Sequence, residues 1–223
     1  MQLKPLSTPV GRGKHHGSVL AELLDRFLYR HPFEGPSARR YARKERPAFE
    51  ALDDRILDEL GLAGARTFLD LGCGPATLVQ RVRALHPDLC VIAIDPSRDF
   101  ASAPGVIRAR GEALPLADRS IDVALCLSSI RHVQDRRATL RELRRVVRGR
   151  LVIVELDPEA DRTRIAAHAS RLGGAVLRRV FGPLVVRTAP PARAIARLAI
   201  EAGFTQVSLR ADPIQPVYIL ELW

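Results

Sequence analysis

The residues best suited to chemistry are carboxylates and a glycine turn that close short apolar runs. Phe68 to Val79 reads FLDLGCGPATLV: a hydrophobic run enters Gly72-Cys73-Gly74, and a helical pattern begins just after Pro75. Glycines let a backbone turn sharply and let a ligand come close, while a helix N-terminus offers unpaired N–H groups. The dinucleotide fingerprint G-x-G-x-x-G needs glycine at position 77, which is Thr77, so a hydride-transfer reading is weakened. Asp70 lies at the end of the first run. Asp95 ends the next one, VIAIDPS, one strand–helix–strand unit further on. A carboxylate at that tip can accept from both hydroxyls of a ribose. Asp95-Pro96 alone also fits a plain strand-ending turn; the glycine turn at this distance favours the sugar.

Those residues need a scaffold, and the hydrophobic pattern supplies one. From Arg66 onward TFLDL, CVIAID, VIRAR, IDVALCL and LVIVEL alternate with helical patterns through Leu78, Val82 and Leu85 and through Leu140, Leu143 and Val147. Such alternation builds a parallel sheet with helices on both faces, and near-continuous apolar strands agree, because both faces are covered. A last helix holds Ile195, Leu198, Ala199 and Ala202 and stops at Gly203; TQVSL and PVYILEL then form a hairpin at a sheet edge. The expected fold class is α/β: a doubly wound, mostly parallel seven-stranded sheet with a C-terminal antiparallel hairpin and a helical N-terminal extension. Residues 1–17 read as a flexible tail. Residues 18–62 form a helical segment, with Ser18 capping a helix that ends at His31-Pro32 and Pro47 opening another that stops at Gly61. Residues 63–223 form the main domain, with a helical insertion around 157–190.

Composition excludes several classes. A chain of 223 residues with 47% hydrophobic content can bury a sizeable core. No apolar run approaches the ~18 residues of a membrane-spanning helix, and the first residues lack the apolar stretch of a secretory signal. Cys73, Cys90 and Cys126 form no CxxC pair, which suits a reducing cytoplasm. No histidine spacing suggests metal ligands. Lysine and arginine total 35 against 25 acidic residues, a net charge of +10, which admits nucleic acid as a partner. Against that, the arginines are dispersed and aromatics are only 5% of residues, where nucleic-acid binders pair clustered cations with stacking rings.

Gly111 to Asp135, GEALPLADRSIDVALCLSSIRHVQD, resembles the class I (Rossmann-like) S-adenosylmethionine-dependent methyltransferases, and among them the small-molecule methylases that include those of quinone biosynthesis. The resemblance rests on Glu112-Ala113, Leu114-Pro115, Asp118, Ser120-Ile121-Asp122, the strand after it and His132-Val133-Gln134-Asp135. It implies S-adenosylmethionine as cofactor. Gly72, Cys73 and Gly74 would pass under its methionine part, with Asp70 near the ammonium group. Asp95 would hold the ribose, Pro96 would pack beside the adenine, Glu112 would accept from the adenine amino group and the Ala113 N–H would meet a ring nitrogen. Leu127 and Ser128 would add backbone contacts beneath the methionine chain.

The family's loop after the fourth strand faces the methyl group, which makes His132 the candidate general base; packing or helix-capping is its competing role. Tyr41, within SARRYARKER, is a candidate for an N-terminal lid or a plain surface tyrosine. Three departures from the family stand out: Ala76 in place of a third glycine, Ser120-Ile121 in place of Ser-Phe, and a short turn Val147-Arg148-Gly149-Arg150 before the fifth strand. The implied activity is methyl transfer to oxygen, carbon or nitrogen of a small molecule, with its pocket built by residues 18–60 and 157–190. An RNA methyltransferase and a non-catalytic binding fold are the alternatives. Arg137, Arg141, Arg144 and Arg148 read as a solvated helix flank rather than a phosphate-binding ridge.

Overall fold

The computed structural model describes residues 34–43, 47–171, 179 and 181–223; the tail and the helix expected from Ser18 to His31 lie outside these residues. The described chain begins with two helices, α1 (Pro36–Ala42) and α2 (Pro47–Glu59). It continues as β1 (Thr67–Leu71), α3 (Thr77–Leu85), β2 (Cys90–Asp95), β3 (Val106–Arg108), β4 (Ile121–Leu127), α4 (Arg136–Val146) and β5 (Val147–Leu156). It closes with α5 (Arg162–Ser170), a π-helical turn (Phe181–Val186), α6 (Ala192–Glu201), β6 (Val207–Ala211) and β7 (Val217–Leu222). The seven strands lie in the order β3-β2-β1-β4-β5-β7-β6. β1 to β5 are parallel, and β7 runs antiparallel to both β5 and β6. The expected fold class is borne out, with β6 as the edge of the hairpin.

Side chains alternate along each strand, so β5 and β7 divide their apolar residues between two cores. Val152, Val154, Val217 and Ile219 pack with Leu52, Ile56 and Leu60 of α2, Leu78 and Val82 of α3, and Ile165 and Ala169 of α5. Leu151, Ile153, Leu220 and Leu222 pack on the other face with Leu140, Leu143 and Val146 of α4 and Ile195 and Ala199 of α6. Each fully buried leucine contributes about 1.5–3 kcal/mol relative to exposure. Helix α2 therefore shares with α3 and α5 the cover of one face of the sheet. Its C-terminal carbonyls at Glu59 and Leu60 accept from Arg150, and Glu59 pairs with Arg210 of β6. Among the described residues no helix is long and apolar enough to cross a membrane.

Three local details differ from the sequence reading. Helix α1 has no apolar periodicity to announce it. The supposed turn Val147–Arg150 lies inside β5, which leaves α4 without a loop; β4 pairs Ile121 with Val147 and then Val123 with Arg150, a register shift that absorbs an extra residue. Gly149 sits at that irregularity, where an added Cβ would stand 2.2 Å from the Asp122 carbonyl oxygen. Finally, Ala76 adopts φ 60° and only then does α3 begin, at Thr77. The motif residue Asp122 is structural: it accepts from the Arg66 and Thr67 N–H groups and the Thr67 hydroxyl, and pairs with Arg148 at 2.5 Å. These bonds, Arg148 foremost, hold its carboxyl below the usual range.

Candidate functional site

The carboxyl ends of β1, β2 and β4 meet where strand order reverses, the position at which open α/β sheets bind ligands. The first lip is the turn after β1. Gly72 has φ 78° and Gly74 φ 54°, the left-handed region where a side chain is strained. The Gly72 and Cys73 N–H groups donate to the Ile94 carbonyl at 2.8 and 3.2 Å, folding the turn back on β2. A Cβ on Gly72 would stand 2.4 Å from the Cβ of Ser129, whose hydroxyl donates to the Leu71 carbonyl at 2.7 Å. Ser129 thus fixes the turn from the β4 side, a role that no spacing in the sequence marks. Burial pushes the Cys73 thiol well up, so it is not a thiolate nucleophile.

The second lip is the end of β2. The Asp95 carboxylate accepts from the Gly74 N–H at 2.9 Å with one oxygen and from the Ser97 N–H at 2.8 Å with the other. It joins the two lips directly. Burial raises its pKa although both bonds oppose the rise. Asp70, 3% exposed, is pushed up to about 7, chiefly by burial and then by the charges of Asp95 and Asp53. Pro96 is exposed beside them, its carbonyl accepting from Arg108 Nε at 3.3 Å.

The third wall is residues 112–119 with the start of α4. One oxygen of Glu112 accepts from the Gln134 and Asp135 N–H groups at 2.8 and 2.9 Å, and Asp135 caps α4 by accepting from Ala138. A carboxylate has about four acceptor positions, so these bonds orient Glu112 without exhausting it. Ala113 is exposed and its N–H donates to the Arg110 carbonyl at 3.1 Å. This commits the group that the sequence reading assigned to an adenine nitrogen. Glu142 accepts from the Leu114 N–H, and Arg145 donates to the Leu114 and Leu116 carbonyls and pairs with Asp118. The whole wall is thereby fastened along α4, by a pair that sequence reasoning missed.

Leu127 and Ser128 close the floor. Ser128 has φ 52°, a strained value for a residue with a side chain, and its N–H donates to the Val154 carbonyl at 2.7 Å. In the turn that follows, the His132 N–H donates to the Ser129 carbonyl. Burial, then the charges of Arg131 and Arg136, hold its imidazole pKa down to about 3, so the ring is neutral at physiological pH. Arg131, only 4% exposed, donates to the Val185 carbonyl at 2.9 Å and the Thr188 hydroxyl at 3.1 Å. It thereby seats the π-helical turn against the loop after β4. Of the arginine stripe, Arg137 pairs with Glu201, Arg144 donates to the Gly203 carbonyl and Arg148 pairs with Asp122.

Sheet order and crevice together define an open α/β domain with an acidic cradle at its switch point. Residues 69–153 match the family model of the methyltransferase domain. An uncharacterized 37.1 kDa protein in transposon TN4556 of Streptomyces fradiae is 37% identical over 162 residues, covering 67% of this chain and 46% of that protein. The ubiquinone/menaquinone biosynthesis C-methyltransferase UbiE of Syntrophotalea carbinolica is 34% identical over 110 residues, 44% of this chain and 46% of its own length. This chain thus spans less than half of either relative. Among solved structures, the plantazolicin methyltransferase BpumL in complex with SAH superposes with a TM-score of 0.67 at 12% identity, over 91% of this chain and 95% of that one. Residues 69–153 thus carry the match to a methyltransferase domain, and the chain resembles class I S-adenosylmethionine-dependent methyltransferases, the quinone-biosynthesis group among them, as its motifs implied.

Proposed function

We propose that this domain transfers a methyl group from S-adenosylmethionine to a small-molecule acceptor. The observation that carries the reading is the pair of buried carboxylates, Asp70 and Asp95, flanking a glycine turn that a Cβ would obstruct. Burial raises the pKa of both acids and the charge of Asp95 adds to the rise at Asp70; a donor with ammonium and sulfonium charges and a ribose suits both the charge and the hydrogen-bonding capacity. In this reading Asp70 meets the ammonium group, Asp95 the ribose hydroxyls, Glu112 the adenine amino group, and the Gly72–Gly74 backbone lies beneath the methionine chain with Cys73. Pro96, Ala113, Leu127 and Ser128 line the remaining surface.

The donor supplies an activated methyl group bound to a positively charged sulfur. The protein's part is to orient the acceptor in line with that bond and to exclude water. The loop after β4 and residues 181–189, seated by Arg131, form the acceptor wall. His132 is the candidate base for an acceptor that must lose a proton. Its depressed pKa makes it a weak one, so it suits an acceptor whose proton is already acidic, such as a phenol or an activated carbon. Free thiols at Cys73, Cys90 and Cys126 suit a cytoplasmic setting.

The test is thermal unfolding with S-adenosylmethionine and its demethylated product. Either at a hundredfold excess over its dissociation constant should stabilise the native state by about 2.7 kcal/mol. Label from a methyl-labelled donor should then enter a small metabolite of a fractionated extract. His132→Ala should leave the thermal shift intact and slow transfer at least tenfold. No shift with either ligand overturns the donor; label in RNA overturns the small-molecule acceptor.

A further inference from the structure

The geometry points to Asp99 as a positioning residue that clamps α1 across the mouth of the donor crevice, an inference that rests on the reading of that crevice as the donor's seat. One carboxylate grips the start of α1 with both oxygens. The Gly35 N–H donates to Oδ2 at 2.6 Å and the Arg39 guanidinium to Oδ1 at 2.9 Å. Phe100, next along the chain, faces Tyr41 at the other end of α1, with ring centroids 6.0 Å apart and planes inclined by 48°. Tyr41 Cε1 in turn lies 4.0 Å from where a Cβ on Gly74 would stand. Helix α1 therefore bridges the loop after β1 to the loop after β2, the two lips that carry the glycine turn and Asp95.

A helix of 7 residues is far below the ~12–15 at which an isolated helix becomes marginal, so tertiary contacts must hold α1 in place. Gly35 enters it at φ 70° and Ala38 is fully buried. Asp99 is also coupled mechanically to Asp95. Asp95 accepts from the Ser97 N–H, and the Ser97 hydroxyl and carbonyl accept from the Phe100 and Ala101 N–H groups at 3.4 and 2.9 Å. A donor seated on Asp95 lies under a helix held by the same short loop. Asp99 touches neither donor nor acceptor; it slows release of both donor and spent product by keeping α1 and Tyr41 closed.

The experiment compares the full chain with Asp99→Ala and Arg39→Met. Two quantities are read: the rate of tryptic cleavage after the exposed Arg43, and the dissociation rate of the demethylated product. Asp99→Ala should raise both by about tenfold, the scale of a lost charge-assisted contact. The thermal midpoint without ligand should stay unchanged, which a merely structural role would not allow. Arg39→Met keeps the Gly35 bond and should give a smaller rise in both rates; it decides the matter if Asp99→Ala lowers the midpoint. Cleavage and dissociation at wild-type rates in both variants would overturn the clamp. Failure of the wild-type chain to bind the product overturns the donor reading instead, and cleavage without ligand still decides whether Asp99 holds α1.

Discussion

Asp70 is the residue on which charge and function press hardest. Its carboxyl, pushed up to about 7 against an ordinary value of 3.8, binds a proton in the folded state that the unfolded chain has already released across the interval between those values. Stability therefore falls as pH rises through that interval and levels off above it. A cationic donor reverses the balance by favouring the ionised form, so binding releases a proton and affinity rises with pH up to and just beyond 7. Isothermal titration at pH 6 and 8 in buffers of different ionisation enthalpy should show that proton, and Asp70→Asn should abolish it while weakening binding. Ala76 carries a different load. It stands where the family has a third glycine, and the structure places the cost of that departure in the backbone, at φ 60°. Left-handed geometry costs a non-glycine residue about 1–2 kcal/mol, partly offset by glycine's larger unfolded-state entropy, so Ala76→Gly should stabilise the chain by about 0.5–1 kcal/mol in a urea titration.

Among the elements, the passage from α4 into β5 explains what the sequence could and could not disclose. Val147 follows Leu143 at helical spacing and reads as the last residue of a helical stripe, yet it is extended because Ile121 of β4 pairs with it. Pairing across strands leaves no local trace, so the junction was illegible while the apolar strands around it were plain. Gly149 records the same event: its missing side chain lets β5 pass the Asp122 carbonyl, and Gly149→Ala should cost about 1–3 kcal/mol by thermal unfolding, as overpacking does. Helix α1 was illegible for the opposite reason. Its sequence, PSARRYA, has no apolar stripe, and its position depends on a carboxylate at residue 99. The glycine turn and Asp95 were legible because close backbone approach and a carboxylate at a strand tip restrict residue type locally, whereas the loop motif around Glu112 was read from the family resemblance. Ser129, Glu142 and Arg145, which brace them, act through contacts that no spacing encodes.

Over the whole molecule, polar and apolar cohesion are distributed unevenly. Several arginines brace the fold: Arg145 fastens the 112–119 wall, Arg150 and Arg210 tie α2 to the sheet, and Arg137 joins α4 to α6. Each of these four is paired with a carboxylate, so the net charge of +10 resides on other basic residues. Around the glycine turn and the 112–119 wall, the carboxylates of Asp95, Glu112 and Glu142 accept from specific N–H groups. Across the crevice the attachment is of another kind. Arg131 reaches residue 185 through its main-chain carbonyl, a group every amino acid possesses. The Arg131 contact at that position does not depend on the side chain, although Val185 also packs against the apolar core, and the Thr188 hydroxyl meets the same guanidinium. On the proposed reading, drift in that short stretch would reshape the wall that meets the acceptor while the methyl source is inherited intact.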